Sequence, residues 1–316
     1  MTRRESPRRT HRLPTGAAAY VFEEAALRRR AEDAIVEGLR AAGYREAIVP
    51  SADYLAPYLA HLSPREEREL YRFVDRHGDT LALRADFTIA LARHLSGRLA
   101  ADPETERVFY RGEVLRGGAR ETAGAEFYQI GAELLGDASS DADVEIVGRC
   151  LAALEAAGAR RLYLVLSCVG ALEEMLRPEA SREAVRDLAA AIRDRKLSES
   201  RRVGLSVSDA FARRVRRLLE GDLPLDDPGL SRLESGKTLR RVAESAARSS
   251  CRVAVDVAEP ASRSYYTGFF FSVYGESGGT PIAGGGRYDD LYGAFGAPRP
   301  AVGFAVGVEA VVGEAR

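Results

Sequence analysis

The sequence predicts an α+β fold, an antiparallel sheet flanked by helices with a helical insert. Three observations carry that expectation. Strand-like segments occur in neighbouring pairs joined by polar turns. Amphipathic helical segments of period 3.6 separate those pairs. From about residue 170 to 248 the chain becomes charge-rich, aromatic-poor and helical in pattern. Hairpin pairs with helices between them favour an antiparallel sheet over βαβ units. No internal repeat is visible.

Residues 1–12 carry Arg3, Arg4, Arg8, Arg9 and Arg12 without apolar periodicity. They are expected to form a basic, disordered tail before one core at 13–316. From about Tyr20 to Ala42, Leu27, Ala31, Ile35 and Leu39 share one helical face. Gly43 then suits a helix stop. Tyr44–Pro50 reads as a short strand that Pro50 ends. Leu70–Val74 and Thr80–Leu83 read as a hairpin across Asp75–Asp79. Phe87–Leu95 reads as a helix. Arg107–Leu115 and Glu126–Leu135 are strands joined by the polar loop Gly117–Ala125. Asp141–Ala157 is a helix and Arg161–Leu166 a strand. After the insert, at about 170–250, come a strand at Arg252–Val257 and a hairpin of Phe269–Tyr274 with Thr280–Ala283. A strand at Ala301–Val306 and a helix from Val308 follow.

A chain of 316 residues buries enough surface to need no disulfide staple. Its net charge of −1 argues against chain-wide attraction to nucleic acid or membrane. The basic residues are almost all arginine, since Lys196 and Lys237 are the only lysines. That bias lowers the weight of any single arginine. Between Arg193 and Arg217 nine basic residues face three acidic ones, a solvated helical face or a basic docking face. Cys150, Cys168 and Cys251 lie far apart with no CxxC, so neither a disulfide framework nor a zinc site is expected. A reducing cytoplasm is the expected home. There is no long apolar span and no signal-peptide core.

The candidate chemistry begins with Tyr110-Arg111-Gly112-Glu113, followed by Arg116 and Arg120. An arginine on a strand can clamp a phosphate or carboxylate with two hydrogen bonds. In Glu126–Glu133, strand alternation puts Gln129, Gly131 and Glu133 on one face. That face is either a pocket floor or the solvent side. Asp86, where a strand turns into a helix, suits a cap or a contact to a ligand amine. Tyr265-Tyr266-Thr267-Gly268 combines an apolar wall with hydroxyls. Gly284-Gly285-Gly286-Arg287-Tyr288 permits close backbone approach, and it is no P-loop, since no Gly-Lys-Ser/Thr follows.

In this order the pieces resemble the catalytic domain of histidyl-tRNA synthetase, a class II synthetase. The resemblance runs from the phrase Leu13-Pro14-Thr15-Gly16 to the C-terminus. Gly43-Tyr44…Pro50 resembles motif 1, the dimer element. Tyr110-Arg111-Gly112-Glu113 resembles motif 2, and Gly303–Glu309 resembles motif 3. The Tyr-Tyr-Thr-Gly and Ala283–Asp289 phrases resemble the two histidine-specific motifs. The resemblance implies a histidine pocket of Asp86, Thr88, Gln129, Glu133, Tyr265, Tyr266 and Tyr288. It implies a vestigial ATP or phosphate region of Arg111, Glu113, Arg120 and Arg287.

The departures alter the expected function. The family's arginine four residues before the Tyr-Tyr pair is Ala261 here. Arg263 comes two residues later, in strand parity but about 7 Å along the chain. Ala310 follows Glu309 where motif 3 ends in an arginine. Asp86-Phe87 stands where the family has Glu-Gly. The chain also stops before an anticodon-binding domain would begin. This pattern is similar to the regulatory subunits of ATP phosphoribosyltransferase, a paralogous family of the histidine pathway. The resemblance implies a non-catalytic chain without cofactor or metal. Its partners would be a short-form catalytic subunit, which it activates, and L-histidine as feedback effector, with a homodimer inside a hetero-oligomer. A truncated synthetase that activates an amino acid with ATP, or an RNA-binding module, would be the alternatives.

Overall fold

The computed structural model describes residues 13, 16–99, 104–117, 125–177, 182–193, 215, 217–218, 221, 223–233, 235–249 and 251–315. The basic tail, Pro14, Thr15, Arg120 and most of Arg193–Arg217 lie outside the described residues.

Helix α1 spans Phe22–Ala41 and buries Ala31, Ile35, Val36 and Leu39. Gly43 ends its turn at φ 85°, a left-handed conformation that favours glycine. The strand expected over Tyr44–Pro50 is only β1, Arg45–Glu46. The chain leaves the sheet there to supply β2 (Ala52–Tyr54), which pairs with β4 (Thr80–Leu83) in a second sheet of order β2-β4-β3, where β3 is Arg72–Val74. Two short helices lie between, α2 (Ala56–Leu59) and α3 (Pro64–Arg68). Ser63 and Glu66 close a capping box at the start of α3.

Helix α4 (Phe87–Leu99) leads to the long hairpin of β5 (Glu106–Leu115) and β6 (Glu126–Leu135). Helix α5 is Ser140–Ala156 and β7 is Leu162–Cys168. The described residues between β7 and β8 (Cys251–Val255) hold α6 (Ala171–Leu176), α7 (Arg182–Arg193), α8 (Pro228–Arg232) and α9 (Gly236–Ala246). Leu188, Leu230, Leu239 and Val242 from these helices join the core formed by α1 and α5. Strands β9 (Phe269–Tyr274), β10 (Ala283–Arg287) and β11 (Ala301–Gly307) precede α10 (Val308–Glu314).

The main sheet has eight strands in the order β1-β5-β6-β11-β10-β9-β7-β8. Every pairing from β5 to β7 is antiparallel. The outer strands β1 and β8 pair in parallel, which the hairpin pattern did not predict. Parallel neighbours need a long crossover, and the helical segment after β7 supplies one for β8. Strand β10 begins at Ala283, not Thr280, so the triple glycine lies inside the sheet. A Cβ at Gly286 would come 2.8 Å from the Phe270 Cβ, and one at Gly285 would strike the Gly303 carbonyl.

One face of the sheet is covered by α1, α5 and the crossover helices. The other carries a second core built from Phe87, Ile89, Leu91, Tyr110 and Tyr288. Among the described residues no helix is long and apolar enough to cross a membrane. Nor does any group of His, Cys, Asp and Glu among them form a metal cluster.

Candidate functional site

Strand register decides which side chains meet on the second face. Tyr110 pairs with Gly131, Gly112 with Gln129 and Val108 with Glu133, so these six share that face. There a cleft of about 520 Å³ is lined by Asp86, Thr88, Gln129, Tyr265, Tyr266 and Tyr288, among others. Glu133 lies beneath it, 1% exposed. All seven side chains that the histidine-family resemblance singled out therefore converge on one place.

Glu133 accepts hydrogen bonds from the Thr88 hydroxyl at 2.9 Å and from the Tyr288 hydroxyl. Burial raises its pKa to about 8, although both hydrogen bonds work the other way. The space it occupies exists because β11 carries Gly303 opposite, where a Cβ would overlap the carboxylate. Similarly, a Cβ at Gly131 would collide with the Tyr110 hydroxyl.

Asp86 acts both as a cap and as a site residue. Its Oδ1 accepts from Ile89 N at 3.1 Å, in the first turn of α4. Its Oδ2 accepts from the Tyr265 hydroxyl at 3.2 Å and forms an ion pair with Arg263, whose Nε lies 3.1 Å away. Arg84, two residues earlier, is buried and donates to the carbonyls of Val49, Pro50 and Glu113. Its guanidinium lies 4.0 Å from the Phe87 ring centroid, and Phe87 stacks on Tyr110 at 4.3 Å. This packing fixes the turn that presents Asp86. The aromatic wall is likewise interlocked. Tyr265 meets Tyr266 and Tyr288 edge-on at 5.5 and 5.6 Å, and Tyr266 stacks on Phe270 at 5.9 Å.

The expected phosphate region is not assembled as the sequence suggested. Arg111 and Glu113 pair with Ile130 and Tyr128, which puts them on the opposite face of the sheet. Arg111 instead meets Glu46 at 2.9 Å. Arg287 also turns away from the cleft. It is buried against α5, 2.7 Å from Asp143, with further bonds to the carbonyls of Asp137 and Ser139.

Arg116 and Arg263 line the cleft instead. Arg116 is even-numbered, like Tyr110, so strand parity alone places it on the cleft side. It donates to the Ala85 carbonyl at 2.8 Å, and burial, with Arg263 close by, lowers its pKa to about 10. Residues 256–268 form no strand, so the parity argued for Arg263 does not apply. Burial opposes the charge on Arg263, but Asp86, Tyr265, Tyr266 and Glu66 together outweigh it and the net shift is upward. Ala310 does line the cleft. Beside it, Glu309 is held by Tyr128 N at 3.0 Å and faces Arg28 at 3.4 Å.

An antiparallel sheet with helices behind it and an open, tyrosine-walled cleft in front is the architecture of class II synthetase-like proteins. The profile of the histidyl-tRNA synthetase family matches residues 16–311. The chain is 30% identical to the ATP phosphoribosyltransferase regulatory subunit of Carboxydothermus hydrogenoformans, over 95% of both chains. It is 33% identical to that of Bacillus licheniformis, over 76% of this chain and 65% of that protein's length. A crystal structure described as an ATP phosphoribosyltransferase regulatory subunit/histidyl-tRNA synthetase from Bacillus halodurans superposes with a TM-score of 0.82. It is 26% identical and covers 97% of this chain and 83% of its own. The chain belongs to the histidyl-tRNA synthetase family, in its branch of ATP phosphoribosyltransferase regulatory subunits.

Proposed function

We propose that this chain regulates ATP phosphoribosyltransferase in histidine biosynthesis. It joins a short-form catalytic subunit in the cytoplasm, activates it and relays feedback by L-histidine. The observation that carries this reading is the near full-length match to relatives named as that regulatory subunit. The cleft supports it: Gln129 and the tyrosines offer polar contacts to an imidazole within an aromatic enclosure, and Glu133 holds Thr88 and Tyr288 from beneath.

The chain itself does no chemistry on ATP. Its cleft has Ala310 where the synthetase resemblance places an ATP-stacking arginine, and Arg263 is engaged by Asp86. A homodimer through the α1–β1 region, inside a hetero-oligomer, completes the assembly. Feedback then requires histidine to bind the active and inhibited assemblies with different affinity.

The test is co-purification with the short catalytic subunit, followed by phosphoribosyltransferase assays with and without histidine. Activation that histidine reverses supports the proposal. Histidine-dependent ATP–pyrophosphate exchange by the pure chain would instead make it an amino-acid-activating enzyme.

A further inference from the structure

We propose that Arg263 fills, with its own guanidinium, the seat from which Asp86 would hold a ligand's ammonium group. The cleft then does not select for an α-amino group, and it takes imidazole-bearing carboxylic acids with or without one. This rests on the reading that an imidazole ligand enters the cleft.

The oxygens of Asp86 are already engaged. Oδ1 serves the amide of Ile89, and Oδ2 receives both Arg263 and Tyr265. An incoming ammonium finds a carboxylate whose charge is balanced at 3.1 Å. Arg263 is no surface arm, since its side chain is 18% exposed.

The clamp around Arg263 explains why it stays there. Its Nη1 lies 3.7 Å from Glu66 Oε1. Glu66 is itself fixed at the head of α3, where its Oε2 accepts from Ser63 N at 2.8 Å and Ser63 Oγ at 2.7 Å. The next residue, Ser264, donates to the same Oε2 at 2.8 Å and to the His61 carbonyl at 3.0 Å. Thus the loop carrying Arg263 is pinned to the start of α3.

A second cation stands in the same cleft. Arg116 has the Ala85 carbonyl as its hydrogen-bond partner and makes no ion pair among the described residues. Of the other carboxyls, Glu309 at the cleft lining is held by the Tyr128 amide and faces Arg28, and Glu133 is sealed beneath the cleft by Thr88 and Tyr288. An ammonium placed beside Asp86 therefore meets two like charges. A carboxylate meets two guanidinium groups suited to it.

The experiment is calorimetric titration of the full chain with L-histidine and with 3-(imidazol-4-yl)propionate, its analogue without the amine. The wild type is expected to bind the two within about threefold. Arg263→Leu frees Asp86 and should favour histidine by about tenfold or more, as expected for a charge-assisted bond regained. Arg263→Lys keeps the cation and should keep the wild-type ratio. A wild type that prefers histidine tenfold or more overturns the proposal and leaves the histidine reading standing, whether or not the leucine variant folds. An equal ratio in wild type and folded Arg263→Leu also overturns it. If neither compound binds any of the three proteins, the reading of the cleft as an imidazole site falls, and this proposal with it.

Discussion

The Thr88 hydroxyl donates to Glu133 at 2.9 Å, tying the first turn of α4 to the middle of the sheet beneath the cleft. This bond joins two segments 45 residues apart and anchors a carboxyl that water does not reach. Its protonation should therefore register in the stability of the whole fold.

In the unfolded chain this carboxyl ionises near 4.5, and in the folded chain at about 8. Between those values the unfolded chain has released a proton that the folded chain keeps. Stability is thus fully present below pH 4.5 and is lost as pH rises to about 8, by on the order of a few kcal/mol. Glu133→Gln should flatten that part of the profile. Urea unfolding at pH 5 and pH 8.5 checks it, and an identical pH dependence in both proteins refutes it.

Tyr266→Phe, which removes a hydroxyl from the cleft wall, and Glu133→Ala, which releases Thr88 and Tyr288, should each weaken histidine binding about tenfold. The Tyr266 ring keeps its stacking partner Phe270, so that variant should stay folded. Calorimetry decides, and unchanged affinity in both variants moves the histidine site elsewhere.

Arg287→Ala should destabilise the fold by about 3–5 kcal/mol, because it leaves Asp143 buried without its partner. The readout is the midpoint of denaturant unfolding. A loss below ~1 kcal/mol would show that Asp143 finds another way to be satisfied.

Arg111 and Arg116 should behave oppositely. Arg111→Ala removes a surface pair with Glu46 and should cost about 0–1 kcal/mol, without changing ligand affinity. Arg116→Ala should weaken any carboxylate-bearing ligand about tenfold or more, through loss of a charge-assisted bond. Equal effects of the two substitutions on binding would contradict the strand register.

Gly303→Ala should lower stability by about 1–3 kcal/mol through overpacking. The new methyl needs the volume that the Glu133 carboxylate holds. Thermal unfolding beside Gly313→Ala, a glycine with nothing within 4 Å of its Cβ position, separates this clash from a general helix or strand effect.

Much of this site was legible because strand alternation is a rigid rule. Gln129, Gly131 and Glu133 fell on one face from parity alone, and the register confirms that face as the cleft side. The same rule applied to β5 selects Arg116 over Arg111, so the phosphate-region expectation failed where motif spacing was followed instead of parity. Arg287 misled for a related reason: it is adjacent to Tyr288 in sequence and so points to the opposite face. Helices α2 and α3 were missed, since helices of four and five residues show too little periodicity. The Ser63–Glu66 capping box was nevertheless readable as Ser-x-x-Glu. The parallel edges were hidden because each joins strands far apart in the chain, β1 with β5 and β7 with β8.

Strand β11 follows every other described strand in the chain, yet it stands fourth of eight in the sheet. Before Ala301–Gly307 is placed, β6 and β10 are two unpaired edges with nothing to join them. The sheet therefore stays in two halves until β11 is available to join them, and the two halves of the cleft wall meet only then. Such a late, long-range pairing slows folding and leaves sticky edges open meanwhile. It also means that a chain lacking Ala301–Gly307 cannot present a finished pocket.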